Sequence, residues 1–431
     1  MAVTAPQSND IQLETVSSRL KGELIHPNKN AGLAGLEFSP DGKRLLAGDY
    51  PGGTIAMWEL ASGKRLTTLE ASYGTHASSR YFAVSPDWRT VFAWREKRKY
   101  ERVEQDGKHM IRWTFGGEVR AWNLEDGKLI RTYKREPQSN VRLMRLAPDG
   151  KSFYTLDQLP GTYEGGAKQT LTLWNVKTGV YRTMEGLDGI GTFSPDGKTL
   201  ALTVRNEDGY ARGLKLIDAV KGTEKWSVPI TEKNDWCNVG AFSRDGRLIF
   251  GTKRRFERSK KWDHWQMWMK WWDAATGEEV ASFEGDKDDS ITDLQRSPDG
   301  KTLAALNWRG DKRKLFLFDV AQKRLIRTIL LGEKPADQEL IATGGAFSPD
   351  GKWLAVIIRV YPEKRTGDVV DPRDLPQPRI LLIETSTGAI RETLISPQCF
   401  ADEAIFSPDG RTMATSGHGR VLLWDMTKMP R

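Results

Sequence analysis

The residue types that most often do chemistry in proteins are few and scattered in this sequence. No two histidines stand at the spacing of metal ligands, and no nucleophile elbow, Ser–His–Asp set or phosphate-binding loop occurs. Cys237 and Cys399 are too few for a disulfide framework, so we expect reduced thiols in a reducing compartment. We therefore expect neither an enzyme nor a bound metal or cofactor. The histidines are His26, His76, His109, His264 and His418.

One aspartate recurs along the whole chain and could suggest a ring of carboxylates. It always stands in a Ser-Pro-Asp-Gly-like tetrapeptide between two apolar runs. Asp and Gly in this order favour a tight turn, because Gly takes a positive φ without steric cost and Pro fixes φ before it. The aspartates therefore indicate turns. The eight copies, 46 to 62 residues apart, end at Gly42, Trp88, Gly150, Gly197, Gly246, Gly300, Gly351 and Gly410.

Three segments rich in Lys and Arg are the stronger candidates for a functional site. Residues 95–109, 253–263 and 309–314 have net charges of +2, +4 and +3, which together slightly exceed the +8 of the whole chain. The rest of the protein is thus nearly neutral. The candidate partner-binding residues are Arg95, Lys97, Arg98, Lys99, Tyr100, Arg102, Lys253, Arg254, Arg255, Phe256, Arg258, Lys260, Lys261, Trp262, Trp265, Trp268, Arg309, Lys312 and Arg313.

The aromatic run that follows the second basic segment allows three interpretations. In an extended strand Trp265, Met267, Met269 and Trp271 share one side, while Trp268 and Trp272 point the other way. Exposed Trp and Met anchor protein partners. Trp beside Lys and Arg also suits single-stranded nucleic acid or another polyanion. The simplest alternative is that the rings pack internally and the charges are ordinary surface.

The elements that position these residues follow from a second recurring mark. An apolar run ends in a large apolar residue plus a polar one, and a Gly-containing turn and another strand-like run usually follow. Each unit then forms a four-stranded antiparallel sheet, which must stack against its neighbours because it cannot bury both faces alone. The marks are Trp58-Glu59, Trp122-Asn123, Trp174-Asn175, Ile217-Asp218, Trp272-Asp273, Phe318-Asp319, Ile383-Glu384 and Trp424-Asp425.

These units resemble the WD40 repeat family over about residues 19–428. The resemblance implies an all-β, eight-bladed β-propeller that serves as a scaffold for protein partners. The family often has Gly-His before the first strand of a blade, and here we expect only His76 in such a loop. The sequence therefore predicts that apolar packing replaces most of the family's buried polar network. The predicted blades are 32–70, 78–135, 140–185, 189–230, 237–284, 290–331, 342–395 and 402–428 plus 19–26.

The ends of the chain predict how the ring closes. The last unit lacks a fourth strand, whereas residues 19–26 form a spare strand before the first unit. We expect this segment to complete the last blade, which removes two exposed edges at once. Residues 1–18 are predicted to be a flexible tail. With no secretory signal and no apolar run long enough to span a bilayer, we expect a cytoplasmic protein without membrane contact.

The variation in loop length predicts where binding occurs. If the strands of a blade are called a to d from the centre outward, the a–b and c–d turns share one face and the b–c and d–a loops share the other. The largest insertions fall between strands b and c, as do the three basic segments. We expect a non-catalytic scaffold that presents this face to a protein partner. Nucleic-acid or polyanion binding is one alternative, and a small-molecule site or enzyme at the central channel is another.

Overall fold

The computed structural model describes residues 19–29, 31–50, 53–70, 82–105, 108–135, 140–158, 169–185, 191–205, 212–228, 235–257, 264–287, 289–307, 312–333, 338–362, 378–396 and 403–428. Within these ranges the regular structure is entirely β-strand, in eight four-stranded antiparallel blades. A single parallel bridge between Arg212 and Trp236 links blades 4 and 5. The prediction of an all-β, eight-bladed propeller is confirmed.

The strands of the first four blades run from the centre outward in chain order. Blade 1 is β2 (Gly32–Phe38), β3 (Arg44–Tyr50), β4 (Thr54–Glu59) and β5 (Arg65–Glu70). Blade 2 is β6 (Phe82–Val84), β7 (Thr90–Gln105), β8 (Lys108–Asn123) and β9 (Leu129–Lys134). Blade 3 is β10 (Asn140–Leu146), β11 (Ser152–Gln158), β12 (Gln169–Asn175) and β13 (Tyr181–Glu185). Blade 4 is β14 (Thr192–Phe193), β15 (Thr199–Arg205), β16 (Arg212–Asp218) and β17 (Glu224–Val228).

The other four blades repeat this order, except that the last borrows its outer strand. Blade 5 is β18 (Asp235–Phe242), β19 (Leu248–Glu257), β20 (His264–Asp273) and β21 (Glu279–Glu284). Blade 6 is β22 (Ile291–Arg296), β23 (Thr302–Asn307), β24 (Lys312–Asp319) and β25 (Arg324–Glu333). Blade 7 is β26 (Gln338–Phe347), β27 (Trp353–Pro362), β28 (Arg379–Glu384) and β29 (Ile390–Ile395). Blade 8 is β30 (Ala404–Phe406), β31 (Thr412–Ser416), β32 (Arg420–Asp425) and β1 (Leu20–Ile25).

The N-terminal strand closes the ring as the sequence predicts. β1 pairs antiparallel with β32, from Leu20 opposite Trp424 to Ile25 opposite Arg420. The eight apolar clusters show the same closure, because each joins two neighbouring blades and one joins blade 8 to blade 1. The two faces of each sheet are thus buried by the two neighbouring blades. Because the ring is closed, every blade has a neighbour on both sides.

The repeated tetrapeptide forms the a–b turn of every blade. In the first copy the Ser39 hydroxyl donates to Asp41 Oδ1 at 2.6 Å, and the same carboxylate accepts the Lys43 amide at 3.0 Å. This Ser–Asp bond recurs in every copy that has serine. The bond from Ser39 holds the pKa of Asp41 below its usual range. The aspartates are therefore turn formers, as predicted.

The turn of blade 2 is the exception among the eight. Trp88 occupies the position that is glycine in the other copies and has a φ of 56°, a conformation that is strained for a residue with a Cβ. Its ring packs, partly buried, against the apolar cluster between blades 1 and 2. Packing of the indole thus accompanies the backbone strain at this turn.

The second recurring mark ends strand c of every blade. Its large apolar residue is buried in all eight copies, from Trp58 in blade 1 to Trp424 in blade 8. The replacements Ile217, Phe318 and Ile383 are buried in the same way as the tryptophans. The position therefore serves blade packing, and its aromatic character is dispensable.

Polar networks survive beneath the b–c face, which corrects the expectation that they are largely absent. In blade 1 the fully buried His26 lies 6.1 Å from the ring of Trp58, and Asn28 donates to Asp49 at 3.0 Å. Burial lowers the pKa of His26. His76, the histidine expected in such a loop, lies outside the described residues.

Two other blades build the network with different residues. In blade 3 Arg135 replaces the histidine and binds the buried Asp157. In blade 6 Asn307 donates to Asp289 at 2.6 Å, and Lys314 binds the same carboxylate. In blades 1, 3 and 6 alike, a polar residue at or near the end of strand b is joined to the loop that precedes strand a. These networks use residues other than the Gly-His pair of the family, so that motif does not reveal them in the sequence.

Candidate partner-binding face

Two long b–c hairpins rise from the face that carries the basic segments. In blade 2, β7 and β8 are paired from Thr90–Asn123 to Gln105–Lys108. β6 reaches only Ala93, and β9 reaches only Glu118, so the hairpin continues beyond the blade as a two-stranded ribbon. Arg95, Lys97, Arg98, Lys99, Tyr100 and Arg102 lie on this part of β7, and their side chains lie outside the described residues.

The hairpin of blade 5 has the side-chain alternation that the sequence predicts. β19 and β20 are paired from Leu248–Asp273 to Glu257–His264. Met267, Met269 and Trp271 are completely buried in the apolar cluster shared with blade 6. Trp272 lies on the opposite side, in the cluster shared with blade 4. The lower half of the hairpin, which carries residues 267–272 of β20, is therefore part of the core. This agrees with the internal-packing interpretation for these residues.

The upper half of this hairpin keeps its aromatic and basic side chains half-buried. We call this group the blade-5 rim. It comprises Trp236, Lys253, Arg254, Arg255, Phe256, Trp265 and Trp268.

The rim has two sides with different chemistry. On the side toward blade 6, the rings of Phe256 and Trp236 lie 5.1 Å and 6.4 Å from the ring of Trp265. The guanidinium of Arg254 lies 5.5 Å from the centre of the Trp265 ring, within the range of a cation–π contact. The rings and this cation therefore hold one another in place at the top of the sheet.

On the other side of the rim, a buried carboxylate organises the cations. Asp235 is bound by Lys253 Nζ and by Arg255 Nε, each at 2.7 Å. Burial opposes the charged form of Asp235, but the bonds from Arg255 and Lys253 outweigh it and lower its pKa. Arg255 also lies 5.9 Å from the ring of Trp268. Lys253 and Arg255 thus share one carboxylate within the protein and keep a net charge of +1 between them.

The basic segment of blade 6 is less accessible than the sequence suggests. Arg313 is only 3% exposed. It precedes Leu315 by two residues on β24 and so shares the face that packs toward blade 7. The neighbouring Lys314 binds Asp286 and Asp289. Burial works against its charge, but the hydrogen bonds that Lys314 donates to these two acids raise its pKa.

Most of the remaining candidate residues belong to segments outside the part of the chain that the structure describes. Arg258, Lys260, Lys261, Trp262 and Arg309 lie outside the described residues, as does the side chain of Lys312. Trp236 and Asp235 belong to the site although the sequence did not single them out. Both precede the tetrapeptide of blade 5 on strand a, where β18 pairs Asp235 with Arg255 and Trp236 with Arg254.

Other kinds of site have little support in the described residues. No group of three His, Cys, Asp or Glu residues there could hold a metal ion. No helix there has the length and apolarity needed to cross a bilayer. Burial raises the pKa of the Cys237 thiol to about 11, so it is a protonated core residue at neutral pH. Cys399 lies outside the described residues.

Comparison with known proteins supports the architecture. Residues 398–425 match the family model described as WD domain, G-beta repeat. The C-terminal WD40 domain of Sif2 superposes with a TM-score of 0.60 at 12% identity and covers 95% of this chain and 99% of its own. The β-propeller domain of Myceliophteria thermophila Cps50 (Swd1) gives 0.50 at 15% identity with the same coverage. No curated protein sequence matches significantly.

At these identities the two structures establish the fold and nothing more. WD40 propellers in general act as scaffolds for protein interactions. The last repeat matches the family model, and the whole chain shares the architecture. The chain is therefore a β-propeller whose last repeat matches the WD40 family model.

Proposed function

We propose that the protein is a non-catalytic binding platform and that a protein partner docks on the blade-5 rim. The observation that carries this proposal is the contrast within one hairpin. The lower half of β20 is sealed in the core, whereas Trp265 and Trp268 in the upper half stay partly accessible on a rigid sheet. Aromatic side chains that are fixed before binding anchor interfaces at a small entropic cost.

The charges of the rim favour a protein over a polyanion. Lys253 and Arg255 share Asp235, and Arg254 stacks on Trp265. The three cations therefore already have interactions within the protein and hold the aromatic rings in place. A nucleic-acid groove instead keeps its cations available for phosphates. The residual charge of +2 from three cations and one carboxylate suits a partner segment that combines apolar anchors with a few acidic residues.

Removing the accessible rings should release the partner. We expect the double variant Trp265→Ala/Trp268→Ala to weaken capture of the partner at least about 30-fold, since one aromatic anchor alone contributes about 2 kcal/mol or more. The measurement is quantitative affinity capture with mass spectrometry, followed by titration with the purified partner. The matched control is Leu129→Ala/Ile130→Ala, which removes two exposed apolar side chains from the outer edge of blade 2.

The same experiment separates the alternatives. Equal loss in both double variants, or identical partner lists for the rim variant and wild type, would count against the rim. Polyanion binding would appear as retention on heparin at low salt. Its affinity would fall by about a thousandfold between about 50 and 200 mM salt, whereas a protein interface of this composition should change far less.

A further inference from the structure

The hairpin of blade 2 forms the longest uninterrupted strand pairing in the part of the chain that the structure describes. β7 and β8 have 16 residues each and pair without a bulge. Residues 108–117 of β8 pair with β7 alone, over a length of about 33 Å. We call this upper part, residues 94–105 and 108–117, the blade-2 ribbon. A ribbon of two strands is only marginally stable in water, and a third strand is usually needed.

Both edges of the blade-2 ribbon lack a strand partner among the described residues. On the inner side β6 ends opposite Ala93, and on the outer side β9 ends opposite Glu118. Proteins usually keep such edges from pairing with bulges, prolines or charged residues. The pairing of β7 with β8 has no bulge, and neither strand contains proline. Charge is therefore the feature that distinguishes the two edges.

The charged residues of the blade-2 ribbon are concentrated on β7. Five of the eight residues 98–105 are charged, whereas residues 108–115, which lie opposite them, have only Lys108 and Arg112. A charged edge strand discourages pairing, so the edge of β7 is protected and the outer edge of β8 is not. Residues 108–115 also include four β-branched or aromatic residues, which favour strands: Ile111, Trp113, Thr114 and Phe115.

The strand register divides the blade-2 ribbon into two faces of different composition. Residues that lie opposite each other share a face, and successive residues alternate between faces. The first face has Ile111, Trp113 and Phe115 on β8, and its two arginines and two glutamates on β7 cancel. Lower in the blade the same face packs against blade 3. The second face has a net charge of +3, from four cations and one acid: Lys97, Lys99, Lys108, Arg112 and Glu101.

We propose that another protein adds an extended segment to the outer edge of β8, along residues 108–115 and in line with β9. In this mode of binding, main-chain hydrogen bonds supply affinity and the alternating side chains supply specificity. The two faces then define the partner as a segment in which apolar and acidic residues alternate. Its apolar residues share the face of Ile111, Trp113 and Phe115, and its acidic residues share the face with the charge of +3. This surface belongs to blade 2 and does not depend on docking at the blade-5 rim.

The probe is a labelled synthetic peptide of about eight residues in which valine alternates with glutamate, as the register of an added strand requires. One control peptide has the same composition with the valines and glutamates in separate blocks, and another has lysine in place of glutamate. Each is titrated with the full-length protein by fluorescence anisotropy. We expect the alternating acidic peptide to bind saturably and both controls to bind at least about tenfold more weakly. Absence of binding, or equal binding of a control peptide, would overturn the proposal.

Charge reversal on β8 tests the assignment of the second face. Lys108→Glu/Arg112→Glu should weaken binding of the acidic peptide about tenfold and strengthen binding of the lysine peptide. The matched control is Lys64→Glu/Lys177→Glu, which makes the same charge change at exposed c–d turns on the opposite face of the disc. It should leave both affinities unchanged. Equal effects of the two double variants would mean that the net charge of the protein, and not this face, selects the peptide.

A shortened hairpin tests the place of binding. Replacing residues 97–116 with Asn-Gly closes the hairpin near the top of the blade with a tight turn. This variant should melt within about 2 °C of the full-length protein and no longer bind the peptide. Trp265→Ala/Trp268→Ala should bind it normally, which separates this site from the blade-5 rim. Two results would refute the site: peptide binding by the shortened variant, or a full-length dimer in light scattering that the shortening converts to a monomer, since a second copy would then occupy this edge.

Discussion

A protein shortened by its first 26 residues should melt on the order of 10 °C below the full-length chain. The truncation removes β1, which supplies the outer strand of blade 8. It also removes Leu24, which is 3% exposed and packs in the cluster between blades 8 and 1. Loss of a buried leucine costs about 2–5 kcal/mol, and each unmade backbone hydrogen bond adds about 1 kcal/mol.

Side-chain contacts add to the effect of this truncation. Arg19 binds Glu392 of blade 7 at 2.7 Å, so the N-terminal segment ties together three blades. Without β1, the edge of β32 is exposed and available for pairing with other chains. We therefore expect aggregation on heating in addition to the lower melting temperature, measured by circular dichroism and light scattering.

A shorter truncation provides the control. Removing residues 2–18 leaves β1 intact, and the sequence predicts that these residues are a tail. That variant should melt within about 2 °C of the full-length protein, as expected for a change outside the packed structure. If both truncations melted together with wild type, β1 would not be the strand that closes the ring.

Replacing Arg135 with methionine should destabilise the protein by about 3–5 kcal/mol at neutral pH. Arg135 Nη1 lies 2.9 Å from Asp157 Oδ2, and the two side chains are 7% and 1% exposed. Thr155 and Thr172 also donate to this carboxylate, and Trp174 donates to Thr155 at 3.0 Å. Methionine fills similar volume but leaves Asp157 without its counter-charge.

The effect should depend on pH with a defined sign. Burial raises the pKa of Asp157, although Thr172 and Arg135 oppose the rise. The folded state therefore binds this proton more tightly than the unfolded state, so the group's contribution to stability falls as pH rises through the folded pKa. Loss of Arg135 raises that pKa further. The destabilisation measured by urea unfolding should thus be largest at neutral pH and become smaller as the pH is lowered.

The double variant isolates the charge from the packing. Arg135→Met/Asp157→Asn has no buried charge and keeps a side chain that can accept the threonine hydroxyls. It should recover more than half of the stability lost by Arg135→Met, and the loss that remains should not change with pH, because the titrating carboxyl of Asp157 is gone. No recovery in the double variant would show that packing of Arg135, not its pairing with Asp157, matters in blade 3.

The sequence predicts the frame of this protein because the frame is repeated eight times. Each repeated feature depends on a few consecutive residues, so its position can be found from its spacing along the chain. This holds for the tetrapeptide turns, the apolar end of strand c and the spare N-terminal strand. Successive side chains of a strand point to opposite faces, so the sequence also predicts that Met267, Met269 and Trp271 lie on one face and Trp272 on the other. The structure reproduces these features.

The polar contacts were harder to predict because they join residues that are distant in sequence. Asp157 of blade 3 binds Arg135, which lies in the loop between blades 2 and 3. Asp235 on β18 binds Lys253 and Arg255 on the neighbouring strand β19. The sequence does hold one signal for the contacts between strand b and the loop before strand a. In three blades a polar residue stands at or near the end of strand b: Asp49, Asp157 and Asn307. Accessibility was a further difficulty. Arg313 is basic and lies beside a loop, yet it shares the buried face of Leu315.

A cross-strand disulfide tests the closed eight-bladed ring most directly. Ile25 and Arg420 are opposite each other on β1 and β32, and both are exposed. Cysteines at two such opposed strand positions are close enough to bond. The account predicts that Ile25→Cys/Arg420→Cys oxidises within one chain, giving a monomer with altered mobility that reverts on reduction. Failure to oxidise, or dimers in place of the cross-linked monomer, would contradict the ring.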